Sequence, residues 1–257
     1  MYSGKIDGET TTFGTSGLLY RSNKLMYDRL TNTLWSSLVG RPVIGKLAMR
    51  DDLVLDYFPV ALTTWQEWLE EHPNTSVIST ETGYYTPRMY QPESDTRSIY
   101  YSYRIDPGTM FPVWNRDDRL EVKDEVLALS EGDSHKAFPI DDLNQVRLVN
   151  DTIGETEIVI LASSISSDAR VFERDGRQFA LNPDKQSAVI PQTVVDDEGQ
   201  VWQVSDTGLT GPGGETLERL PSYVSFWFGW YAFHPDTLLY EAQSVGSLTE
   251  RQEERYC

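Results

Sequence analysis

The fold is decided by a short tryptophan-rich stretch that occurs twice in the chain. Residues 65–75 read WQEWLEEHPNT, and residues 227–237 read WFGWYAFHPDT. The two tryptophans, the His-Pro pair and the final threonine recur at the same spacing, and without a gap the match extends back to Leu55 and Leu217. Rare residue types that recur in one order indicate an internal duplication.

The spacing within the first copy predicts a short amphipathic helix. Trp65, Trp68 and His72 lie at positions i, i+3 and i+7 and therefore share one face, whereas the glutamates occupy the other. Thr64 followed by Glu67 is a capping-box start, and the proline after His72 ends the helix there. Apolar residues replace the polar face in the second copy. We therefore expect a buried second helix and a peripheral first helix.

Around these helices the sequence predicts short strands and turns. The expected class is α+β and β-rich, with two copies of one antiparallel β unit that are each closed by a short helix. Residues 1–81 would form the C-terminal part of the first copy, 82–110 a tyrosine-rich connector, 111–240 a complete second copy and 241–257 a polar tail. The block from 111 to about 167 has no counterpart ahead of the first copy. The first copy is therefore predicted to be incomplete, and the natural protein or its ancestor is expected to extend upstream by roughly one such block.

The composition disfavours several classes of partner. The chain has 257 residues and a net charge of −18, so most of its surface repels nucleic acid and anionic membranes. The longest apolar run, residues 223–233, is too short to span a bilayer, and the first residues contain no apolar signal region. Cys257 is the only cysteine, which allows neither an internal disulfide nor a thiolate metal site. We predict neither nucleic-acid binding nor a membrane span.

Further motifs allow a comparison with known families. They are FGTSGLL at 13–19, MYDR at 26–29, FPV at 111–113, RDDRL at 116–120, KAFP at 136–139 and VNDTIG at 149–154. With the two His-Pro helices they make nearly the whole chain similar to the domain-of-unknown-function family 3179. The resemblance implies a prokaryotic protein, often exported, from a family with no established activity. An extracytoplasmic location is an expectation from this resemblance alone.

Fuller members of that family resemble two copies of the unit and carry a Cys-Pro-x-Cys motif just upstream of the point where this chain begins. The motif is absent here, and the equivalent place in the second copy, residues 161–164, reads LASS. The resemblance therefore carries no metal or redox role over to this chain.

The densest charged cluster comprises Arg116, Asp117, Asp118 and Arg119. Together with Asp151 it offers paired carboxylates for acid–base chemistry or an oxygen-rich cation site. The alternation of opposite charges equally fits an Arg–Asp network that holds a turn.

The three histidines are not spaced as a known metal motif, and no metal ligands are predicted. His72 and His234 end their helices beside an indole, where an imidazole can satisfy free carbonyls, and we interpret both as structural. The same structural role is assigned to the repeat tryptophans Trp65, Trp68, Trp227 and Trp230. His135 stands alone in a predicted hairpin and is expected to be exposed.

These features favour a non-catalytic, extracytoplasmic binding or interaction module. Tyr84 and Tyr85 belong to a set of connector tyrosines that either pack over the seam between the copies or stack against a sugar or other planar ligand. The connector and the acidic cluster would form the ligand surface for a small molecule or glycan. The alternative is a metal-dependent enzyme that combines residues 116–119 and Asp151 with a histidine. The sequence identifies no cofactor and no oligomeric state.

Overall fold

The computed structural model describes residues 1–92, 95–98, 100–185 and 187–242. Cys257 and most of the predicted polar tail lie outside these described residues. Strands make up 35% of the structure and helices 11%, which confirms the β-rich α+β class.

Eighteen strands are described. They are β1 (Lys5–Ile6), β2 (Glu9–Thr10), β3 (Phe13–Tyr20), β4 (Asn23–Asp28), β5 (Leu34–Ser36), β6 (Pro42–Ile44), β7 (Glu125–Glu131), β8 (Ser134–Pro139), β9 (Leu148–Ile153), β10 (Thr156–Ala162), β11 (Ala169–Glu173), β12 (Phe179–Leu181), β13 (Thr193–Asp196), β14 (Val201–Val204), β15 (Gly208–Thr210), β16 (Thr216–Leu220), β17 (Tyr223–Phe226) and β18 (Leu238–Leu239). The described α-helices are α1 (Trp65–Glu71), α2 (Tyr101–Ile105), α3 (Ile140–Val146) and α4 (Trp227–Tyr231), and Pro87–Tyr90 forms a turn of 3-10 helix.

The largest sheet has eight antiparallel strands in the order β12-β13-β14-β15-β16-β11-β10-β9 and is nearly closed, like a barrel. Its two end strands approach each other through Asn150 on β9 and Phe179 on β12. The Asn150 side chain donates to the Phe179 carbonyl at 2.8 Å and accepts from the Phe179 amide at 2.9 Å. One side-chain amide therefore links the edges where regular pairing stops.

Strand β10 is apolar from Ile158 to Ala162, where both of its faces are covered. Ile158 and Ile160 belong to a core shared with Leu127, Phe138 and helix α3. The alternate residues of β10 belong to a second core inside the curved sheet, which contains Phe172 and Trp202. Because successive side chains of a strand point to opposite faces, one run of apolar residues contributes to both cores.

A four-stranded sheet of order β17-β7-β8-β18 packs beside the large sheet, and β18 runs parallel to β8. Its other face is covered by α4, whose Trp227 and Trp230 are each 1% exposed. This confirms the expectation of a buried second helix. None of the described helices is long and apolar enough to cross a membrane.

The N-terminal sheet, β3-β4-β5-β6, repeats local contacts of the large sheet. Asp28 accepts a hydrogen bond from the indole of Trp35 at 2.8 Å, and Asp196 accepts one from Trp202 at the same distance. In each case the aspartate also accepts backbone hydrogen bonds of the adjoining turn. These paired contacts are what a duplication predicts. The boundaries at residues 81 and 111 stay predictions.

The two His-Pro helices carry a second set of matched contacts. The rings of Trp68 and His72, and likewise those of Trp230 and His234, lie 4.1 Å apart. Each of these two indoles donates to the threonine seven residues further on, at 3.2 Å in the first copy and 2.9 Å in the second. The predicted capping box is present at the start of α1, and His72 is the C-cap residue of the helix.

Helix α1 does not bury the apolar face that an amphipathic helix ordinarily buries. Trp65 is 51% exposed and Leu69 40%, whereas Glu67 is only 3% exposed. The helix therefore turns glutamates from its polar face toward the large sheet. The physical reason is that the sheet presents polar partners there: Ser163 donates to Glu67 at 2.7 Å, and Arg170 donates to Glu71 at 3.0 Å.

Candidate functional site

The predicted charged cluster borders a cleft of about 620 Å³, here called the Arg116 cleft. Its lining includes Arg116, Asp117 and Asp118 from the loop before β7, and Trp227, Phe228 and Tyr231 from α4. The connector contributes Pro107, Gly108 and Thr109. The structure thus places charged groups along the border of an aromatic surface.

Two members of the charged cluster, Asp117 and Arg119, form an ion pair. Arg119 donates to Asp117 at 2.9 Å, and its guanidinium lies over the rings of Trp227 and Tyr231 at 5.3 and 5.9 Å. Burial alone would raise the pKa of Asp117, but the hydrogen bonds and charge of Arg119 outweigh it and lower that pKa below its ordinary value. This pair is the Arg–Asp network that the sequence offered as a structural interpretation.

The other two members are available to a ligand. Arg116 is exposed and donates to the carbonyl of Val113 at 3.2 Å, but it forms no ion pair with a described carboxylate. Asp118 is exposed and has no hydrogen bond or ion pair within the described part of the chain. The Nε1 of Trp227 is buried without a hydrogen-bond partner, and its approach to Asp117 falls outside hydrogen-bond geometry. A cation and an anion without described ion-pair partners thus border one aromatic cleft.

The connector tyrosines named from the sequence lie elsewhere. Tyr84 is 90% exposed and Tyr85 64% exposed, and neither lines the Arg116 cleft. Two other connector tyrosines, Tyr100 and Tyr103, line an adjoining cleft of about 500 Å³. The two clefts share Gly108 and Phe228 among their linings.

Asp151 and the histidines are also remote from the Arg116 cleft. Asp151 on β9 pairs with Lys136 at 2.7 Å. The expectation that His135 stands alone is wrong, because β8 brings its partly buried ring to 4.0 Å from that of His234. Burial is the main cause that lowers the pKa of His234 to about 4, and the charge of His135 lowers it further. None of the three histidines lines the Arg116 cleft.

Sequence reasoning missed a buried ionic cluster, here called the Arg170 cluster, which consists of Glu71, Asp168, Arg170, Asp206 and Arg219. The side chain of Arg170 is 3% exposed and pairs with Asp168 at 2.8 Å, Glu71 at 3.0 Å and Asp206 at 3.1 Å. Burial by itself lowers the pKa of Arg170, but hydrogen bonds and the charges of Asp168 and Glu71 raise it above its ordinary value. An arginine between the apolar residues Ala169 and Val171 of β11 is the signal that could have revealed it.

The Arg170 cluster connects the two predicted copies. Glu71 belongs to α1, whereas Arg170 and Asp206 belong to the large sheet and its turn. Arg219 donates to the carbonyls of Val60 at 2.9 Å and Asp206 at 3.2 Å. The residues of this region that can hold a metal ion are Glu71, His72 and Asp206.

Fold and clefts together define a β-rich α+β protein with a nearly closed antiparallel sheet and an open cleft of mixed polar and aromatic lining. The family model described as a protein of unknown function, DUF3179, matches residues 1–237, and the chain belongs to this family. The resemblance seen in the sequence motifs is thereby confirmed. No curated protein and no solved structure matched the chain.

Proposed function

We propose that this protein is a non-catalytic binding module that holds a polyhydroxylated ligand, such as a glycan, in the Arg116 cleft. The observation that carries the proposal is the convergence of Arg116 and Asp118, neither of them ion-paired within the described residues, on a cleft with an aromatic lining. Hydroxyl groups both donate and accept, so one sugar ring can hydrogen-bond to both side chains.

The aromatic lining supports the same ligand class. Phe228 and Tyr231 are partly buried and offer ring surface to the cleft. An amphipathic ring ligand can place its apolar face there and its hydroxyls at the charged border. The adjoining cleft with Tyr100 and Tyr103 extends this surface toward the connector, as the tyrosine content suggested. An extracytoplasmic location would suit this role and is proposed from the family resemblance.

The geometry favours this proposal over an enzyme built on the same cluster. Such an enzyme would require Asp151 and a histidine beside residues 116–119. Asp151 is instead paired with Lys136, and the histidines lie elsewhere.

The test is ligand titration with cello-, xylo- and chito-oligosaccharides, followed by tryptophan fluorescence and thermal unfolding. We expect one class to bind and raise the melting temperature. Asp118→Asn and Arg116→Gln should weaken that binding at least tenfold, because each removes the charge that strengthens the hydrogen bonds to the ligand hydroxyls.

The matched control is Glu198→Gln, which removes an exposed acid on the remote β13–β14 turn and should bind like the wild type. Both cleft variants should keep the unliganded melting temperature, since neither side chain pairs with a described charge. Absence of binding by all three oligosaccharide classes, or unchanged affinity in both cleft variants, would refute the proposal.

A further inference from the structure

A separate cleft of about 360 Å³ opens where the C-terminus of α1 meets the turn between β14 and β15. Glu71 and His72 reach it from α1, and Asp206 reaches it from the turn. One oxygen of each carboxylate and Nε2 of His72 lie within 4.8 Å of one another. Three potential ligands from two distant parts of the chain thus face the same small space.

The imidazole nitrogen of His72 is the informative atom. Nε2 is buried and has no hydrogen-bond partner, although it lies 3.3 Å from Oδ2 of Asp206 and 3.9 Å from Oε2 of Glu71. The contact with Asp206 is close but is not aligned as a hydrogen bond. A buried polar atom without a partner is destabilising, and an ion bound between the nitrogen and the two carboxylates would provide that partner.

The spacing suits a small divalent ion. Bonds of roughly 2.0–2.1 Å to a tetrahedral zinc ion place neighbouring ligand atoms roughly 3.3 Å apart. The Nε2 to Oδ2 distance of 3.3 Å has this value already, and the 3.9 Å to Glu71 needs only a small side-chain movement. These two ligand-atom separations are therefore close to those of a loaded site.

Arg170 orients both carboxylates through hydrogen bonds. Its Nη1 donates to Oδ1 of Asp206 at 3.1 Å, which leaves Oδ2 directed toward His72. Its Nη2 donates to both oxygens of Glu71 at 3.2 and 3.0 Å. Ligating carboxylates are commonly oriented by such outer hydrogen bonds, and the 3% exposed Arg170 is itself held by Asp168.

The His72 ring is fixed as well. It stacks on Trp68 at 4.1 Å, and the Trp68 indole is in turn hydrogen-bonded to Thr75. The backbone amide of His72 closes the last turn of α1 on the carbonyl of Trp68 at 2.8 Å. A site whose ligands are already oriented loses little conformational entropy on binding.

We propose that Glu71, His72 and Asp206 bind a divalent first-row transition-metal ion of the zinc type, with a fourth coordination position open to the cleft. One nitrogen and two oxygen ligands fit zinc and its neighbours. Calcium and magnesium prefer all-oxygen sites and are disfavoured by the imidazole. The proposal does not depend on the Arg116 cleft or on its ligand.

The second copy supplies an internal control. His234 occupies the position of His72, but Phe233 stands where Glu71 stands in the first copy. Its ring contacts His135 instead of two carboxylates. His234→Gln should therefore leave metal binding unchanged.

The experiment is titration of EDTA-dialysed protein with Zn²⁺ by calorimetry and with Co²⁺ by visible absorption, and Ca²⁺ serves as the competing ion. We expect one Zn²⁺ or Co²⁺ per chain and an excess of Ca²⁺ that does not displace it. His72→Gln and Asp206→Asn should each weaken Zn²⁺ binding at least tenfold. Bound Zn²⁺ should raise the melting temperature of the wild type and of His234→Gln.

Several outcomes would overturn the proposal: no stoichiometric ion, displacement of Zn²⁺ by Ca²⁺, or equal Zn²⁺ affinity in the wild type and His72→Gln. If Asp206→Asn fails to fold, His72→Gln decides, because His72 lies outside the Arg170 hydrogen bonds. The Co²⁺ spectrum provides a further readout, since loss of the imidazole ligand changes the absorption bands of any ion that still binds.

Discussion

At the scale of single residues, three buried acids have an important structural role. Asp28, Asp196 and Glu67 are almost fully buried, and each accepts several hydrogen bonds. Burial raises the pKa of a carboxyl group, but the hydrogen bonds to these three outweigh burial and lower it. Each is therefore a charged group that the fold depends on keeping ionised.

Glu67 gives a pH prediction. Burial raises its pKa, but hydrogen bonds from surrounding hydroxyls and the Thr64 amide lower it to about 2 from an ordinary value of 4.5. Because the folded pKa is lowered, its stabilisation is complete above about pH 5 and is lost as the pH falls toward 2. The free energy of unfolding of the wild type should exceed that of Glu67→Gln above pH 5. We expect this excess to fall by about 3 kcal/mol as the pH is lowered toward 2.

Urea denaturation at a series of pH values measures this difference. The exposed Glu70→Gln serves as the control, and its difference from wild type should stay nearly constant with pH. A constant difference for Glu67→Gln would show that the Glu67 carboxylate contributes no pH-dependent stability.

At the scale of elements, α1 is a short helix that depends on its cap and its polar face. Thr64 accepts from the amide of Glu67 at 3.2 Å, and Glu67 accepts from the amide of Thr64 at 3.1 Å. Only seven residues are helical, which is too few for stability from helix propensity alone. Tertiary contacts through Glu67 and Glu71 therefore hold α1 on the large sheet.

Thr64→Ala removes the side chain that caps α1 and should lower the free energy of unfolding by about 1 kcal/mol. Gln66→Ala, an exposed change within the same helix, should change it by less than about 0.5 kcal/mol. Chemical denaturation followed by circular dichroism compares the two variants. Equal values for both would mean that the capping box contributes nothing in solution.

At the scale of the whole molecule, the Arg170 cluster joins the first predicted copy to the second. Three carboxylates and Arg219 surround one buried guanidinium, and the carboxylates come from α1, from the residue before β11 and from the β14–β15 turn. Removing one partner of a buried ion pair leaves an uncompensated charge, which is much more costly than losing an exposed pair. The matched Trp–His and Trp–Asp contacts support a duplication, which stays a prediction.

Arg170→Met should destabilise the protein by about 3–5 kcal/mol, because Asp168 and Glu71 then lose the guanidinium that donates hydrogen bonds to both. The double variant Arg170→Met with Asp168→Asn should lose less than the sum of the two single losses, since it removes both members of the closest pair. Thermal and chemical unfolding measure both quantities. Arg41→Met, at an exposed arginine, is the control, and strictly additive losses would contradict the coupling.

The sequence alone determined the local structure and the family. Asp-Gly turns, the capping box at Thr64 and the proline after His72 act through neighbouring residues, so a pattern of a few residues predicts them. The apolar replacements in the second His-Pro stretch likewise predicted a buried α4. For the same reason sequence motifs were sufficient for the family, which matches residues 1–237.

Only the tertiary structure decided which face of α1 is buried and where the candidate sites lie. Amphipathic periodicity by itself would place the apolar face of α1 against an apolar partner. The partner is instead the polar pair Ser163, just after β10, and Arg170 of β11, about one hundred residues further along the chain. The placement of Asp206 beside His72, and of Trp227 beside Asp117, likewise depends on chain crossings that no local pattern encodes.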